Sequence, residues 1–197
     1  MVKRLRRIRY HLDAKDIKQL PRDELVKILR AADPLIMSGG RTLLAKVLKG
    51  SKEKKLLELN LNTNPAYGYF KDLSIEEITA KIDWTILQGF LAIEYNYRLP
   101  LLVYTSIGWE IEKDTYTDDL LRGFDKILES GQDKFDMSYL KDRNRKMIHM
   151  LLDKVQATQN PKYIPILEAW AEIDYKKVKK HISVVINKLK QRNEQPN

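Results

Sequence analysis

The chain of 197 residues has no cysteine and only three histidines. Without cysteine it can form no disulfide, no thiolate zinc site and no cysteine nucleophile. The histidines, His11, His149 and His181, are too scattered to predict a metal site or histidine-based catalysis. No apolar run approaches the roughly 18 residues of a membrane span, and none follows the basic residues 1–10 as in a secretory signal. We therefore expect a cytoplasmic protein with no cofactor, no metal and no membrane partner.

Positive charge is abundant and unevenly distributed. Lys and Arg number 36 against 27 Asp and Glu, which gives a net charge of +9. Residues 1–30 carry ten basic residues against four acidic ones, and residues 41–55 carry six against one. A basic stripe of this kind is typical of a phosphate-binding surface, although a solvated charged face fits the counts equally well.

Residues 15–113 contain the signals of several helices. Start residues and apolar spacing predict helices over 21–32, 41–49 and 74–89. Gly50 is placed to end the second, and Ser51 to cap a further short helix. The apolar residues of that short helix are Leu56, Leu57 and Leu59, and the stripe of the helix over 74–89 is Ile75, Ile78, Ile82 and Ile86.

Two β-type runs follow these helices, over 90–95 and 101–105. The five residues between them are typical of an exposed hairpin tip. Helices followed by a two-stranded hairpin have the order of a winged helix, and we expect residues 108–111 to end this module.

Beyond residue 113 the sequence predicts helices alone, over 118–129, 138–157, 161–173 and 175–191. Asp174 is placed to cap the last helix, whose apolar stripe is Val178, Ile182, Val185, Ile186 and Leu189. Such helix pairs resemble HEAT repeats, and a plain helical bundle is the alternative.

The predicted fold class is therefore mainly α (α+β), a winged helix with a two-stranded wing followed by an all-helical segment. The expected organisation is a basic arm over 1–14, the winged helix over 15–113, the helical segment over 114–192 and a tail over 193–197.

Short motifs in this order resemble the RQC domain, the winged-helix module that follows the motor of RecQ-type helicases. They are Lys49-Gly50-Ser51, Tyr67-Gly68, Gly89-Phe90-Leu91 and Thr105-Ser106-Ile107-Gly108. Over nearly the whole chain the resemblance is closer still to small free-standing bacterial proteins, the RQC-minor group. Those proteins continue with segments like residues 139–145 and 169–178.

The chain departs from RecQ helicases in lacking the phosphate loop G-x-x-x-x-G-K-[ST]. The nearest segment, residues 38–42, has neither the first glycine nor the lysine of that pattern. The four-cysteine zinc module is also missing. We therefore expect no helicase activity and assign no catalytic residue.

The resemblance implies that the turn at Gly50 and the start of the next helix hold the DNA backbone, which nominates Lys49, Ser51 and Lys55. The residues alone indicate the same place, because lysines, a hydroxyl and helix amides together can bind phosphate. Further cations would widen the positive field: Arg41, Lys46, Lys52 and Lys54.

The helix over 74–89 is poorly suited to reading bases. Outside its apolar stripe it offers a net −2 surface made of Glu76, Glu77, Thr79, Lys81 and Asp83. Phosphates would be repelled there, and Thr79 and Lys81 alone remain as candidate backbone contacts. Glu110 and Glu112 are expected to be surface carboxylates.

The expected wing tip carries Tyr97 and Arg98. An aromatic ring beside a guanidinium can stack on a terminal base pair and hold the flanking phosphate. The alternative is that Tyr97 only shields the hairpin backbone. Near the N-terminus, a basic arm either follows a phosphate backbone or binds nothing specific, and its members are Lys3, Arg4, Arg6, Arg7 and Arg9.

These observations predict a non-enzymatic, nucleoid-associated DNA-binding protein that recognises duplex ends, forks or branched DNA. We expect it to act in DNA repair or replication alongside a separate helicase or another repair protein. Two alternatives remain open. One is a helical adaptor that binds protein, and the other is an RNA-binding or transcription-regulating winged helix.

Overall fold

The structure, a computed structural model, describes residues 8–131 and 134–193, without the side chains of residues 192 and 193. Over these residues the fold is mainly helical with one two-stranded antiparallel sheet, which confirms the predicted class. The helices are α1 (Arg22–Ala32), α2 (Arg41–Lys49), α3 (Lys54–Glu58), α4 (Ile75–Leu87), α5 (Ser106–Glu129), α6 (Arg145–Thr158), α7 (Ile164–Ile173) and α8 (Lys176–Asn193). The strands are β1 (Leu91–Asn96) and β2 (Leu99–Tyr104). Among the described helices, none combines the length and the apolar character of a membrane span.

The chain divides into two compact units, Met1–Glu112 and Lys113–Asn197, and the division falls inside α5. The prediction that a helix begins at residue 118 was wrong, because α5 already begins at Ser106. Residues 108–111 therefore lie in the first turns of a helix, just before the end of the first unit at Glu112. The first turn of α5 has no acidic residue, and the helix start is capped by Thr105, whose hydroxyl accepts from the amide of Gly108 (3.1 Å).

The core of the first unit forms where α1, α2 and α4 pack together. Ile28, Leu44, Leu48, Ile78 and Ile82 are completely buried there. The apolar stripe predicted for α4 is confirmed in its middle, while its outer members are half-buried. Apolar residues that recur every three to four positions thus form the buried face of the helix.

The hairpin is tighter than the sequence predicted. The register runs from Leu91 opposite Tyr104 to Asn96 opposite Leu99, so the tip consists of residues 97 and 98 alone. Proline is rare inside strands because it cannot donate a hydrogen bond to the neighbouring strand. Pro100 nevertheless lies in β2, opposite Tyr95. The strands therefore extend almost to the end of the wing.

Two glycine motifs are explained by close approaches of the backbone. Gly50 ends α2 in the left-handed region (φ 77°), and a Cβ there would lie 3.0 Å from the Cα of Gly68. Gly108 lies against β1, where a Cβ would meet the carbonyl oxygen of Phe90 at 1.9 Å. The hydroxyl of Thr105 donates to the carbonyl of Gly89 (2.6 Å) and accepts from the amide of Gly108 (3.1 Å). This side chain therefore ties the start of α5 to the end of α4.

The second unit packs α6, α7 and α8 around their apolar faces. The stripe predicted for α8 is buried throughout, which confirms that part of the prediction. Trp170 lies at the centre of this core with its ring edge toward Phe124 (6.1 Å between centroids). The expected cap differs, because Asp174 follows α7 and accepts from the indole of Trp170 (2.7 Å) and from the amide of Tyr175. The helix predicted from residue 138 begins at Arg145, capped by the side chain of Asn144.

Candidate nucleic-acid interface

The junction between α2 and α3 lies where the sequence placed the phosphate clamp. The Oγ of Ser51 accepts from the amide of Glu53 (3.3 Å), so Ser51 organises the turn and is not the cap of α3. α3 begins at Lys54 and has only five residues. Its apolar side is also smaller than predicted, because Leu56 is buried while Leu57 and Leu59 are exposed.

Three of the predicted cations are engaged inside the protein. The guanidinium of Arg41 donates to both carboxylate oxygens of Asp83 (2.5 and 2.6 Å). The amine of Lys49 donates to the carbonyls of residues 71 and 73 (2.6 and 2.7 Å), which holds the segment just before α4 against α2. Lys46 pairs with Glu53 at 2.7 Å. These side chains shape the junction, and their charges are partly or wholly compensated.

The remaining three cations point outward. Lys52, Lys54 and Lys55 are all exposed. Lys54 has a distant partner, the carboxylate of Glu58 at 3.7 Å, and its own side chain is 90% exposed. An ion pair this exposed contributes little and exchanges readily with a phosphate. The part of the predicted clamp that can meet a ligand therefore consists of Lys52, just before α3, and of Lys54 and Lys55 at the start of α3.

The exposed surface of α4 is acidic, but it is made of fewer residues than expected. Asp83 is only 2% exposed and belongs to the interior, which corrects its placement on the surface. Lys81 is paired with Glu24 at 2.5 Å and lies over the ring of Phe70. The Oγ1 of Thr79 donates to a carbonyl of its own helix (2.7 Å). The one basic residue of α4, Lys81, is thus already paired with a carboxylate of the protein.

The two carboxylates left on the exposed side of α4 are Glu76 and Glu77. Glu77 completes a capping box by accepting from the amide of Ser74 (2.7 Å), as the sequence predicted. The hydrogen bonds from the amide and hydroxyl of Ser74 lower the pKa of Glu77, so this carboxylate keeps its charge. A charged pair here repels phosphate, which makes α4 unsuited to entering a DNA groove.

The wing ends in a fully presented aromatic ring. Tyr97 is 82% exposed and has a left-handed backbone (φ 53°), a conformation that costs a non-glycine residue about 1 kcal/mol or more. Arg98 is exposed beside it, and its carbonyl accepts from the amide of Ile8 (3.2 Å). The ring therefore makes no contribution to the core and stands where another molecule can stack on it.

The described start of the chain is held against the wing, a contact that neither interpretation of the basic arm predicted. The hydroxyl of Tyr95 donates to the carbonyl of Ile8 (2.7 Å), and the ring of Tyr10 stacks on that of Tyr95. Arg41 donates to the carbonyl of His11 (2.8 Å). The alternation of Ile8 and Tyr10 with polar residues, a strand-like period of two, was the available signal. Of the arm residues, Lys3, Arg4, Arg6 and Arg7 lie outside the described residues.

This N-terminal strand-like segment, residues 8–11, forms one wall of a groove in the first unit. The groove has a volume of about 570 Å³, and the segment 38–43 before and within α2 forms the opposite wall. Residues 99–101 of β2 and Lys55 of α3 also line it. The groove thus brings Lys55 of α3 and the part of β2 next to the wing tip to one surface, which no sequence pattern predicted.

The histidines are less scattered than their numbering suggests. In the second unit, the Nδ1 atoms of His149 and His181 lie 2.8 Å apart, and the Nε2 of His181 is 3.3 Å from Asp153. Over residues 8–131 and 134–193 there is nevertheless no group of three side chains arranged to hold a metal ion.

Comparisons with known proteins agree with this geometry. The chain is 35% identical over 74 residues to the ATP-dependent DNA helicase RecQ of Bacillus subtilis (strain 168). The match spans 38% of this chain and 12% of the length of that helicase. No solved structure matches the chain significantly. The RQC domain family matches residues 21–119, from α1 into α5 and including the junction and the wing. The chain therefore belongs to the RQC domain family.

Proposed function

We propose that this chain is a non-enzymatic DNA-binding protein that recognises duplex ends, forks or branched DNA. The observation that carries the proposal is the shared surface of the wing and α3. Residues 99–101 of β2, next to the wing tip, line one groove with Lys55, and the ring of Tyr97 is exposed at the tip. Cations that hold a phosphate backbone beside a ring that stacks on a base pair suit the end of a duplex.

The division of labour between these parts favours shape over sequence. Lys52 and Lys54 are exposed cations without buried partners, and they would bind any phosphate backbone alike. Glu76 and Glu77 keep α4 away from the major groove, which argues against a regulator that reads bases. Family membership supports DNA as the ligand, because the RecQ relative is named a DNA helicase.

The proposal assigns the chain no ATP-driven step. The sequence has no phosphate loop, and the family match covers the winged helix and the start of α5. We propose that the chain acts in DNA repair or replication, at the nucleoid, and that a separate helicase or repair protein supplies any unwinding. The second unit is the part of the chain left for such a partner.

The proposal is tested by measuring the affinity of the full chain for five nucleic acids of matched sequence. These are a forked duplex, a blunt duplex, a closed circular duplex, a single strand and a duplex RNA. We expect the fork and the blunt duplex to bind more tightly than the circle and the RNA. Equal binding of circle and blunt duplex would remove end recognition, and equal binding of RNA would favour the RNA alternative. No binding to any of them at low salt would favour the protein adaptor.

A further inference from the structure

We propose that the groove between residues 8–11 and the start of α2 binds the unpaired strand that leaves a duplex end at the wing. The inference rests on the proposed function and extends it from the duplex to the single strand. It assigns a ligand to the groove itself, which shares Lys55 with the clamp. The ligand class is a short run of single-stranded nucleic acid, with phosphates on the cations and a base on the apolar floor.

The charge of the groove is of one sign. Among the described residues that line it there is no Asp or Glu, while Arg9, Arg41, Lys55 and His11 all take part. The charge of Arg41 is compensated by its ion pair with Asp83. The uncompensated charges are therefore those of Arg9 and Lys55. Both are exposed, and neither has an ion-pair partner within residues 8–131 and 134–193. Cations that line a cleft attract an anion more strongly than isolated surface cations do.

The remaining surface of the groove is apolar and suits a base. Leu99 and Ile8 are 55% and 51% exposed, and Tyr10 is 38% exposed beside them. Exposed apolar side chains next to cations are what a nucleotide requires, because its base is flat and poorly hydrated and its phosphate is charged. The volume of about 570 Å³ lies within the range of about 300–1,000 Å³ that is usual for ligand sites. An acidic peptide would match the cations but would leave this floor unused.

The walls of the groove are held in place, so the site exists before a ligand arrives. The segment before α2 bonds to the free edge of β2, through Met37 N to Leu102 O and Leu102 N to Gly39 O (both 2.9 Å). The opposite wall is tied to the wing by Ile8 N to Arg98 O (3.2 Å). This last bond places the groove next to Arg98, the neighbour of Tyr97, so a strand displaced at the tip lies close to the groove.

The test compares a blunt duplex with the same duplex carrying an oligothymidine tail, using the full chain and fluorescence anisotropy. The gain is the ratio of the two dissociation constants. We expect the tail to raise the affinity of the wild type about fivefold or more. This ratio corresponds to the lower end of the stacking free energy of one base. Arg9→Gln with Lys55→Gln should abolish the gain. The affinity for the blunt duplex should therefore fall far less than the affinity for the tailed duplex. The control removes the same charge from exposed positions outside the groove, through Lys18→Gln with Arg22→Gln, and should keep the gain.

A second pair of variants tests the floor. Leu99→Glu places a carboxylate in the groove, and Leu87→Glu places one on α4 at an equal exposure of 55%. We expect Leu99→Glu to abolish the tail gain and Leu87→Glu to keep it, with thermal unfolding confirming that both variants fold. A gain that survives Leu99→Glu, or competition by polyglutamate as effective as that by oligothymidine, would overturn the proposal. Tight binding of the blunt duplex without a tail gain would reject the groove alone. Failure to bind any duplex would reject the proposed function as well.

Discussion

The guanidinium of Arg30 in α1 donates a hydrogen bond of 2.8 Å to Oε1 of Glu112 in α5. Both side chains are buried, Glu112 completely, although the sequence interpretation placed this carboxylate on the surface. Tyr104 lies in the same region, and burial followed by the charge of Glu112 raises its pKa. Its hydroxyl therefore stays protonated and donates to the carbonyl of Leu29 (2.8 Å). A buried ion pair thus joins the beginning and the end of the first unit.

Loss of the carboxylate should be strongly destabilising. Glu112→Gln removes a buried carboxylate that pairs with the buried Arg30, so we expect the free energy of unfolding to fall by about 3–5 kcal/mol. Glu94→Gln, at an exposed position of β1 in the same unit, should change it by less than about 0.5 kcal/mol. Urea titrations of the two variants check the prediction, and equal effects would contradict it.

Variants of Lys49, Lys52 and Lys54 should distinguish a structural role from a binding role. We expect Lys49 to stabilise the fold, and Lys52 and Lys54 to bind phosphate. Lys52→Gln with Lys54→Gln should make the dependence of log K on log salt shallower by about 0.9 for each phosphate that the variant no longer neutralises. Stability should not change. Lys49→Gln removes two hydrogen bonds to backbone carbonyls and should lower the unfolding temperature while leaving the salt slope unchanged. A reduced slope with Lys49→Gln alone would assign a phosphate contact to that residue.

The ring at the wing tip should act on duplex ends without stabilising the fold. Tyr97→Gly relieves a left-handed residue, so we expect an unfolding temperature equal to or above that of the wild type. The same variant should lose about 1–3 kcal/mol of affinity for forks and blunt ends and almost none for a closed circle. Tyr97→Phe keeps the ring and serves as the control. An equal loss on circular and open duplexes would contradict stacking on an end.

Two glycines of α5 should respond to alanine with opposite signs. At Gly108 a Cβ would lie 1.9 Å from the carbonyl oxygen of Phe90, so Gly108→Ala should cost at least about 1–3 kcal/mol. At Gly123 a Cβ meets nothing within 4 Å, and Gly123→Ala should stabilise the helix by up to about 1 kcal/mol. Thermal unfolding of both variants measures the difference, and a stabilised Gly108→Ala would show that α5 does not approach β1 this closely.

Tyr163 should give the second unit a stability that depends on alkaline pH. Burial and the hydrogen bond that it donates to Asp125 raise its pKa to about 12. Because the pKa in the folded state lies above the unfolded value near 10, the contribution is complete below about pH 10. It is lost as the pH rises toward about 12. Tyr163→Phe should therefore remove part of the fall in unfolding free energy between these values. Unfolding curves of wild type and variant that stay parallel across this range would refute the assignment.

Much of the local structure was predictable because it depends on neighbours in sequence. The bounds of α2, the left-handed Gly50 and the capping box between Ser74 and Glu77 follow from residues at most four positions apart. The buried stripe of α8 follows from helical periodicity in the same way. The motifs that identify the family are also local, since each consists of a turn or a helix start.

The partners of Arg41, Arg30 and Lys49 were decided by the tertiary structure. The partner of Arg41 is Asp83, 42 positions away, and that of Arg30 is Glu112, 82 positions away. The same holds for Lys49, whose amine binds carbonyls brought close by the approach of Gly68 to Gly50. A sequence determines how many cations a segment carries. Whether a cation meets solvent or a carboxylate depends on which distant surfaces hydrophobic burial brings together, and burial carries no information on charge.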